Sequence, residues 1–294
     1  MISSKNSMNT NVSLLVMKIS DWLRDSTQAL KNNDINTARL DALVLLSDAL
    51  GKDKGWLLAR QEETVQGSTL YSLREQIARR AGHEPLAYIR GKSEFYGREF
   101  IVNNHTLEPR PETETMIDML MQVTEDRRWK MEDGIALVDI GTGSGCIAIT
   151  AKLELPEATV YGTDIDDTCL ETAKKNTEKL NADVRFYQGN LLQPLPSSIF
   201  QLPTTILANL PYVPESHTIN QAAMHEPKHA IFGGTDGLDY YRELFSQASS
   251  MEHMPLYVLT ESLPFQHDTL TTVAQDNGYS LTMTDDFIQL FSKV

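Results

Sequence analysis

Residues 138–145 read Val-Asp-Ile-Gly-Thr-Gly-Ser-Gly, and no other stretch narrows the possible folds of this chain as much. The apolar run over 135–140 has the length of a buried strand, and 146–153 has the composition of a helix. Between them, alternating glycines allow a left-handed backbone and a close approach of main chain to a ligand at the helix N-terminus. Strands are then predicted at 159–163, 184–187, 205–208, 256–260 and 287–291, with helices over 167–180, 238–249 and 265–277. Such alternation implies an α/β fold, doubly wound on a mostly parallel sheet, with helices covering both faces.

The spacing of the glycines narrows the ligand. Nicotinamide dinucleotide folds want a third glycine three positions after the second, and Cys146 holds that place. The pattern is instead the alternating form used for S-adenosylmethionine, so Asp139, Gly141, Thr142, Gly143, Ser144 and Gly145 are assigned to that cofactor. The strand over 159–163 runs into Asp164, where a carboxylate can accept from both hydroxyls of a ribose. A helix cap is the plainer role for such a residue, but Asp166 and Asp167 suit the cap of the next helix better. Asn190 and Leu191, after the third strand, are candidates to bind and cover the adenine; a bare turn is the alternative.

Ahead of this region, 13–82 carries leucines at helical spacing with breaks at Gly51 and Gly67, which predicts a small helical domain. From Leu86 to Val102, tyrosine, isoleucine and phenylalanine around Gly91 and Gly97 predict a β-hairpin between two domains. Pro111, Glu112 and Glu114 suit the first turn of a helix that follows Pro109. The expected division is a disordered tail over 1–12, a helical domain over 13–83, a hairpin linker over 84–108 and a catalytic domain over 109–294.

The net charge of −14 argues against a protein that coats nucleic acid, an affinity built from many Lys and Arg on phosphates. A local basic stretch remains, with Arg74, Arg79, Arg80, Arg90, Lys92 and Arg98, and a solvated helix face followed by the hairpin accounts for it. The 2 cysteines, Cys146 and Cys169, have no metal-ligand spacing. With no apolar run of membrane length and a polar opening segment, a soluble, cytoplasmic protein without membrane contact is expected.

The strand over 205–208 ends in Asn209-Leu-Pro-Tyr212, either a plain strand exit or a clamp for a flat amino group. Five further stretches stand out: Arg39-Leu-Asp-Ala42; Pro85-Leu-Ala-Tyr-Ile-Arg-Gly-Lys-Ser-Glu-Phe-Tyr-Gly97; Pro109-Arg-Pro-Glu-Thr-Glu114; the glycine turn; and Glu226-Pro227 with Gly233-Gly-Thr-Asp-Gly-Leu-Asp-Tyr240. In these stretches the chain resembles the protein-(glutamine-N5) methyltransferases that modify peptide chain release factors. The resemblance implies a seven-stranded Rossmann-like sheet, S-adenosylmethionine as cofactor and class-1 release factors as partners. It also implies a monomer that forms no stable complex with nucleic acid. Asn209, Leu210, Pro211 and Tyr212 then form the catalytic and substrate-binding set, joined on the substrate side by Arg110 and Glu112. The family usually has Pro in place of Leu210 and an apolar residue in place of Glu108.

A carboxamide nitrogen is a poor nucleophile, because its lone pair is shared with the carbonyl. Acceptors aimed at its two hydrogens favour the geometry that attacks a methyl group. The Asn209 side-chain oxygen and the Leu210 carbonyl are the acceptors this requires, with Tyr212 stacked as a wall. Three alternatives stand beside this expectation. They are methylation of a ribosomal-protein glutamine, methylation of ribosomal RNA adenine by an enzyme with the same Asn-Leu-Pro-Tyr form, and a module that binds S-adenosylmethionine without turnover.

Overall fold

The computed structural model describes residues 16–125 and 134–294. The tail expected over 1–12 lies outside these residues. The chain divides into two compact units between Arg90 and Gly91.

The first unit is built on helices α1 (Ile19–Lys31), α2 (Ala38–Leu50), α3 (Lys54–Ala59) and α4 (Gly67–Ala81). Trp22, Leu23, Leu30, Leu45, Leu46, Leu57 and Leu73 close its core. The unit is not purely helical as expected: β1 (Val16–Lys18) pairs antiparallel with β2 (Thr64–Gln66). A strand of three residues with one buried side chain carries too little period-two pattern to be recognised in sequence. The stretch Arg39–Ala42 places Asp41 in the interior, where its Oδ2 accepts from Arg80 Nε at 2.7 Å and from Thr37 Oγ1 at 2.8 Å. A buried carboxylate held by a guanidinium and a hydroxyl ties α2 to α4 and leaves its charge compensated.

The expected hairpin over 86–102 is a correction. Leu86–Arg90 forms a short helix, α5, and the hairpin is β3 (Lys92–Phe95) with β4 (Arg98–Ile101). Pro85 starts the helix, its carbonyl accepting from Tyr88 and Ile89 nitrogens at 3.1 and 3.2 Å. Ala87, Tyr88 and Ile89 are all buried, so tertiary packing overrides the strand preference of tyrosine and isoleucine. The basic stretch is also largely neutralised by ion pairs. Arg79 pairs with Glu84, Arg80 with Asp41 and Arg90 with Asp48 in the first unit; Lys92 pairs with Glu99 and Arg98 with Glu154 in the second.

The second unit carries the sheet. Its strands are β5 (Ala136–Ile140), β6 (Thr159–Asp164), β7 (Val184–Gln188), β8 (Thr204–Ala208), β9 (Tyr257–Glu261), β10 (Tyr279–Asp285) and β11 (Ile288–Lys293), in spatial order β10-β11-β9-β8-β5-β6-β7. The five from β9 to β7 are parallel; β11 and β10 close the edge antiparallel. Strand β10 was not expected, because its Leu281 and Met283 are exposed and only Tyr279 is buried, which removes the alternation that marks a half-buried strand. Helices α6 (Glu114–Glu125), α7 (Cys146–Glu154), α8 (Asp167–Leu180), α9 (Asp239–Ser249) and α10 (His267–Asp276) pack the two apolar layers of the sheet.

Between β5 and β8 the strand order reverses, and a crevice opens at the carboxyl ends of β5, β6 and β8. The hairpin is pinned to this region by one side chain of α8. The buried Asn176 accepts from Ile101 N at 2.7 Å and donates to Ile101 O and Ser144 O, both at 2.9 Å. The chain leaving the hairpin is thereby directed along the crevice. Among the described residues, no cluster of His, Cys, Asp and Glu suits a metal ion, and no helix is long and apolar enough to cross a membrane.

Candidate active site

The crevice is a cavity of roughly 270 Å³ lined from three directions. The glycine turn and Asp164 form one side, Asn190 and Leu191 another, and Asn209 to Pro211 face Pro109, Arg110 and Thr113 across it.

The glycine turn is held from beneath. Asp139 is fully buried and does not line the cavity; its Oδ2 accepts from Thr142 Oγ1 at 2.6 Å and from Ala148 N at 3.1 Å. Burial raises its pKa to about 7, against the pull of those two donors. Gly145 has φ +80, and a Cβ there would stand 3.1 Å from Ala173 Cβ, so the turn needs glycine for both backbone and space. It too lies behind the cavity wall, whereas Gly141, Thr142, Gly143 and Ser144 line it.

Asp164 closes the end of β6. Its Oδ2 accepts from Gly143 N at 2.9 Å and its Oδ1 from Asp166 N at 2.9 Å. Burial pushes its pKa up, while those backbone donors oppose the shift. Each oxygen retains a lone pair for a ligand hydroxyl. Asp166 caps α8 by accepting from Thr168 N at 2.8 Å, and Asp167 is the exposed first residue of that helix. Asn190 donates to Glu243, and Leu191 is buried at φ +50, a strained conformation for a γ-branched residue.

The tetrapeptide leaves β8 and is held almost entirely by side chains from elsewhere. Asn209 Nδ2 donates to Thr113 Oγ1 at 3.1 Å, and its Oδ1 has no partner among the described residues. Leu210 is buried, its Cδ2 3.1 Å from where a Cβ would stand on Gly141, so the leucine packs directly against the glycine turn. Leu210 N donates to Tyr241 Oη at 3.2 Å, and that hydroxyl is directed at the carbonyls of Ala208 and Glu261. Pro211 lines the cavity.

Tyr212 is not at the cavity wall where stacking on a substrate was expected. Its ring packs at the edge of the core and its Oη donates to Glu261 Oε1 at 3.0 Å. Burial first, then the adjacent Glu261 charge, drives its pKa well above the ordinary range for a phenol. The Tyr212 carbonyl accepts from Gln266 Nε2 at 2.8 Å, and a Cβ on Gly237, at φ +83, would stand only 2.1 Å from that carbonyl oxygen. Close approach to this loop is thus why glycine stands in the segment after it.

Arg110 lines the cavity; its Nη2 lies 2.6 and 2.8 Å from the two oxygens of the buried Glu226. Arg110 Nη1 is 3.8 Å from Glu108 Oε2. Burial raises the Glu226 pKa and the guanidinium counters it. The unusual Glu108 is thus a second carboxylate on this arginine. Glu112 is exposed and does not line the cavity, although Arg110 and Thr113 on either side of it do.

Reading the sequence alone did not single out Thr113, Glu226, Tyr241 or Glu261. Thr113 and Glu226 sit inside stretches that carried the resemblance, and Glu261 is the one charged residue of an otherwise uncharged buried strand, the only local signal it gives.

Comparison with known proteins follows the same division. Residues 21–91 match the family described as PrmC N-terminal domain, and 131–226 match a methyltransferase domain. The release factor glutamine methyltransferase of Bacillus subtilis is 39% identical over 218 residues, 73% of this chain and 72% of the relative. That of Geobacter sulfurreducens is 35% identical over 267 residues, 90% of this chain and 89% of the relative. Among solved structures, the hMettl16 catalytic domain in complex with a MAT2A 3'UTR hairpin shares the fold, at TM-score 0.51, 14% identity and coverage of 79% of this chain and 84% of the other. This chain belongs to the release factor glutamine methyltransferases, enzymes whose methyl donor is S-adenosylmethionine.

Proposed function

We propose that this enzyme methylates the side-chain amide nitrogen of the glutamine in the Gly-Gly-Gln loop of class-1 peptide chain release factors. The observation that carries the reading is the state of Asn209: its amino end is spent on Thr113, which leaves a carboxamide oxygen without a partner beside the cavity.

The residues around the cavity fit S-adenosylmethionine. Asp164 offers carboxylate lone pairs for a vicinal diol, Asn190 and Leu191 offer a polar edge and an apolar cover for a purine, and the turn from Gly141 to Ser144 offers main-chain approach for the methionine end. Asp139 and Gly145 act from behind, keeping that turn in shape. When bound, the sulfonium supplies an electrophilic methyl group and leaves as a neutral thioether.

The protein's own task is to make an amide nitrogen nucleophilic. Asn209 Oδ1 and the Leu210 carbonyl accept the two hydrogens of the substrate amide and draw the nitrogen toward tetrahedral geometry, a charge pattern realised only as the methyl group arrives. Leu210 and Pro211 also hold the loop, Pro211 by restricting the backbone before it. Tyr212 serves this site from behind through Glu261, and Arg110 stiffens the facing wall through Glu226. Glu112, exposed beside that wall, is assigned to contact with the substrate protein. The proton leaves after the nitrogen has lost its conjugation, so water suffices to take it.

The test is incubation of the purified protein with S-adenosylmethionine and a class-1 release factor, followed by mass spectrometry of the tryptic peptides. One added methyl group on the glutamine of the Gly-Gly-Gln loop is expected. Cofactor binding with no transfer, or transfer only to a ribosomal protein or to RNA, would overturn the reading.

A further inference from the structure

We propose that Glu108 gives the cavity a preference for S-adenosylmethionine over its demethylated product, S-adenosylhomocysteine, by adding one negative charge to the wall that faces Asn209. This preference rests on the reading above in one respect: the methyl group is taken to be delivered toward Asn209.

Donor and product differ by one methyl group and one charge, because the first is a sulfonium and the second a neutral thioether. Adenine, ribose and the amino-acid end are common to both. Groups that hold those parts, Asp164 among them, therefore bind both alike. A wall that separates the two ligands has to respond to the charge at sulfur.

The segment 105–113 forms such a wall. It starts against α8, where the His105 carbonyl accepts from Cys169 Sγ at 3.2 Å, and ends at Thr113, whose Oγ1 accepts from Asn209 Nδ2 at 3.1 Å. Between these two points Leu107, Glu108, Pro109 and Arg110 line the cavity. The segment thus runs from the cofactor side of the crevice to the loop that holds the nucleophile.

The arginine of this segment is already matched by a carboxylate outside the cavity lining. Its Nη2 lies 2.6 and 2.8 Å from the two oxygens of Glu226, whose side chain is 2% exposed. Glu108 Oε2 stands 3.8 Å from Nη1 of the same guanidinium, and its Oε1 is 3.5 Å from the Ser93 hydroxyl. Two carboxylates meet one guanidinium, so the cluster carries a net negative charge, which a neutral hydroxyl does not alter. Glu108 is the carboxylate of the pair that lines the cavity. An apolar residue at 108, usual in the resembling family, would leave the cluster neutral.

This charge does not oppose the reaction. The positive charge persists in the transition state, spread over sulfur, methyl carbon and attacking nitrogen, and departs afterwards with the amide proton to water. Glu108 therefore favours ground and transition states alike, which tightens binding of the donor and leaves kcat unmoved. The neutral thioether gains nothing from it.

Calorimetric titration of the full chain with each ligand tests the proposal and needs no methyl acceptor. Glu108→Gln keeps the shape of the side chain and removes its charge. It should weaken S-adenosylmethionine by about threefold to tenfold, the scale of one charge acting across a partly wet cavity, and leave S-adenosylhomocysteine within about twofold of wild type. Glu108→Asp, which keeps the charge, should keep most of the preference. In turnover, Glu108→Gln should raise KM for S-adenosylmethionine by the same factor as Kd, with kcat within about threefold of wild type. Equal weakening of both ligands would overturn the proposal, since Glu108 would then act on a part that donor and product share. Unchanged affinity for both, or a Glu108→Asp indistinguishable from Glu108→Gln, would overturn it as well. A selective loss for the donor in a protein that puts no methyl group on the release factor glutamine would uphold the charge preference and overturn the glutamine reading.

Discussion

The two walls of the cavity are built in different ways. The glycine turn takes its shape from neighbours along the chain: Asp139 reaches Thr142 and Ala148, and Gly143 reaches the end of the adjacent strand at Asp164. Its bonds are mostly to main chain, and glycine is required where φ is positive. The Asn-Leu-Pro-Tyr loop has no such local support. It is held by Thr113 from the segment before α6, Tyr241 from α9, Glu261 from β9 and Gln266 from the turn before α10. A wall made of local backbone can hold a cofactor whose shape does not vary. A wall assembled from distant side chains lets several elements set the orientation of a few polar atoms, which is what a demanding transition state needs.

The largest expected effects separate the walls by function. Asn209→Ala removes the acceptor proposed for the nucleophile and should reduce kcat by about a thousandfold, as loss of a preorganised transition-state contact does. Calorimetry should find its S-adenosylmethionine affinity within a few-fold of wild type. Asp164→Ala should do the reverse, weakening cofactor binding by about tenfold to a hundredfold, the worth of one or two charge-assisted hydrogen bonds. At saturating cofactor its kcat should recover. An asparagine variant with near wild-type rate would remove the distinction between the walls.

Stability should separate them too, at a smaller scale. Tyr241→Phe deletes the hydroxyl that accepts from Leu210 N and leaves that buried donor unsatisfied, at a cost of about 2 kcal/mol and a lower Tm. On the glycine side, Asp139→Asn should behave oppositely with pH. The folded-state pKa of Asp139 is raised to about 7, so keeping this group ionised in the folded chain costs stability as pH climbs from the unfolded value toward 7. The neutral amide escapes that cost. Its Tm relative to wild type should rise between pH 4 and pH 7, by an amount corresponding to as much as about 4 kcal/mol, since the folded pKa stands about three pH units above the unfolded one. A pH-independent difference would mean that Asp139 is ionised at no penalty.

The contrast between the walls also governs what could be read from sequence. Gly141, Gly143, Gly145 and Asp164 were legible because backbone conformation and strand ends leave a mark at the residue itself. The sheet was legible for the same reason, apart from β10, whose exposed Leu281 and Met283 carry no alternation. In the loop wall, Asn209 could be read as a candidate acceptor from its side chain alone, but the residues that hold it could not be read. Thr113 and Glu261 are far apart in sequence, and each reaches the loop through one side chain, Thr113 at Asn209 and Glu261 at Tyr212. Tyr212 was legible as an aromatic, yet its hydroxyl, which turns it toward Glu261 and away from the cavity, signals nothing about its partner. Ring chemistry suggested a stacking wall; a buried carboxylate decided otherwise.

The smallest expected effect falls where the two walls touch. Leu210→Pro restores the residue usual in the resembling family and fixes φ, which reduces the freedom of the loop. It removes the Leu210 N–H, leaving the Tyr241 oxygen one lone pair short of a donor, a milder loss than an orphaned N–H. It also exchanges the leucine packing against Gly141 for a smaller ring. Gain and loss are of similar size, so kcat should be retained or raised, within about threefold. The sharper measurement is the double variant. Tyr241→Phe strands a buried N–H in the leucine protein but has none to strand in the proline protein, so its cost in Tm should shrink by the equivalent of about 1 kcal/mol. If Tyr241→Phe costs the same in both backgrounds, the hydroxyl serves the Ala208 and Glu261 carbonyls alone. The leucine would then be held by its contact with the glycine turn, joining this wall to the local kind of construction.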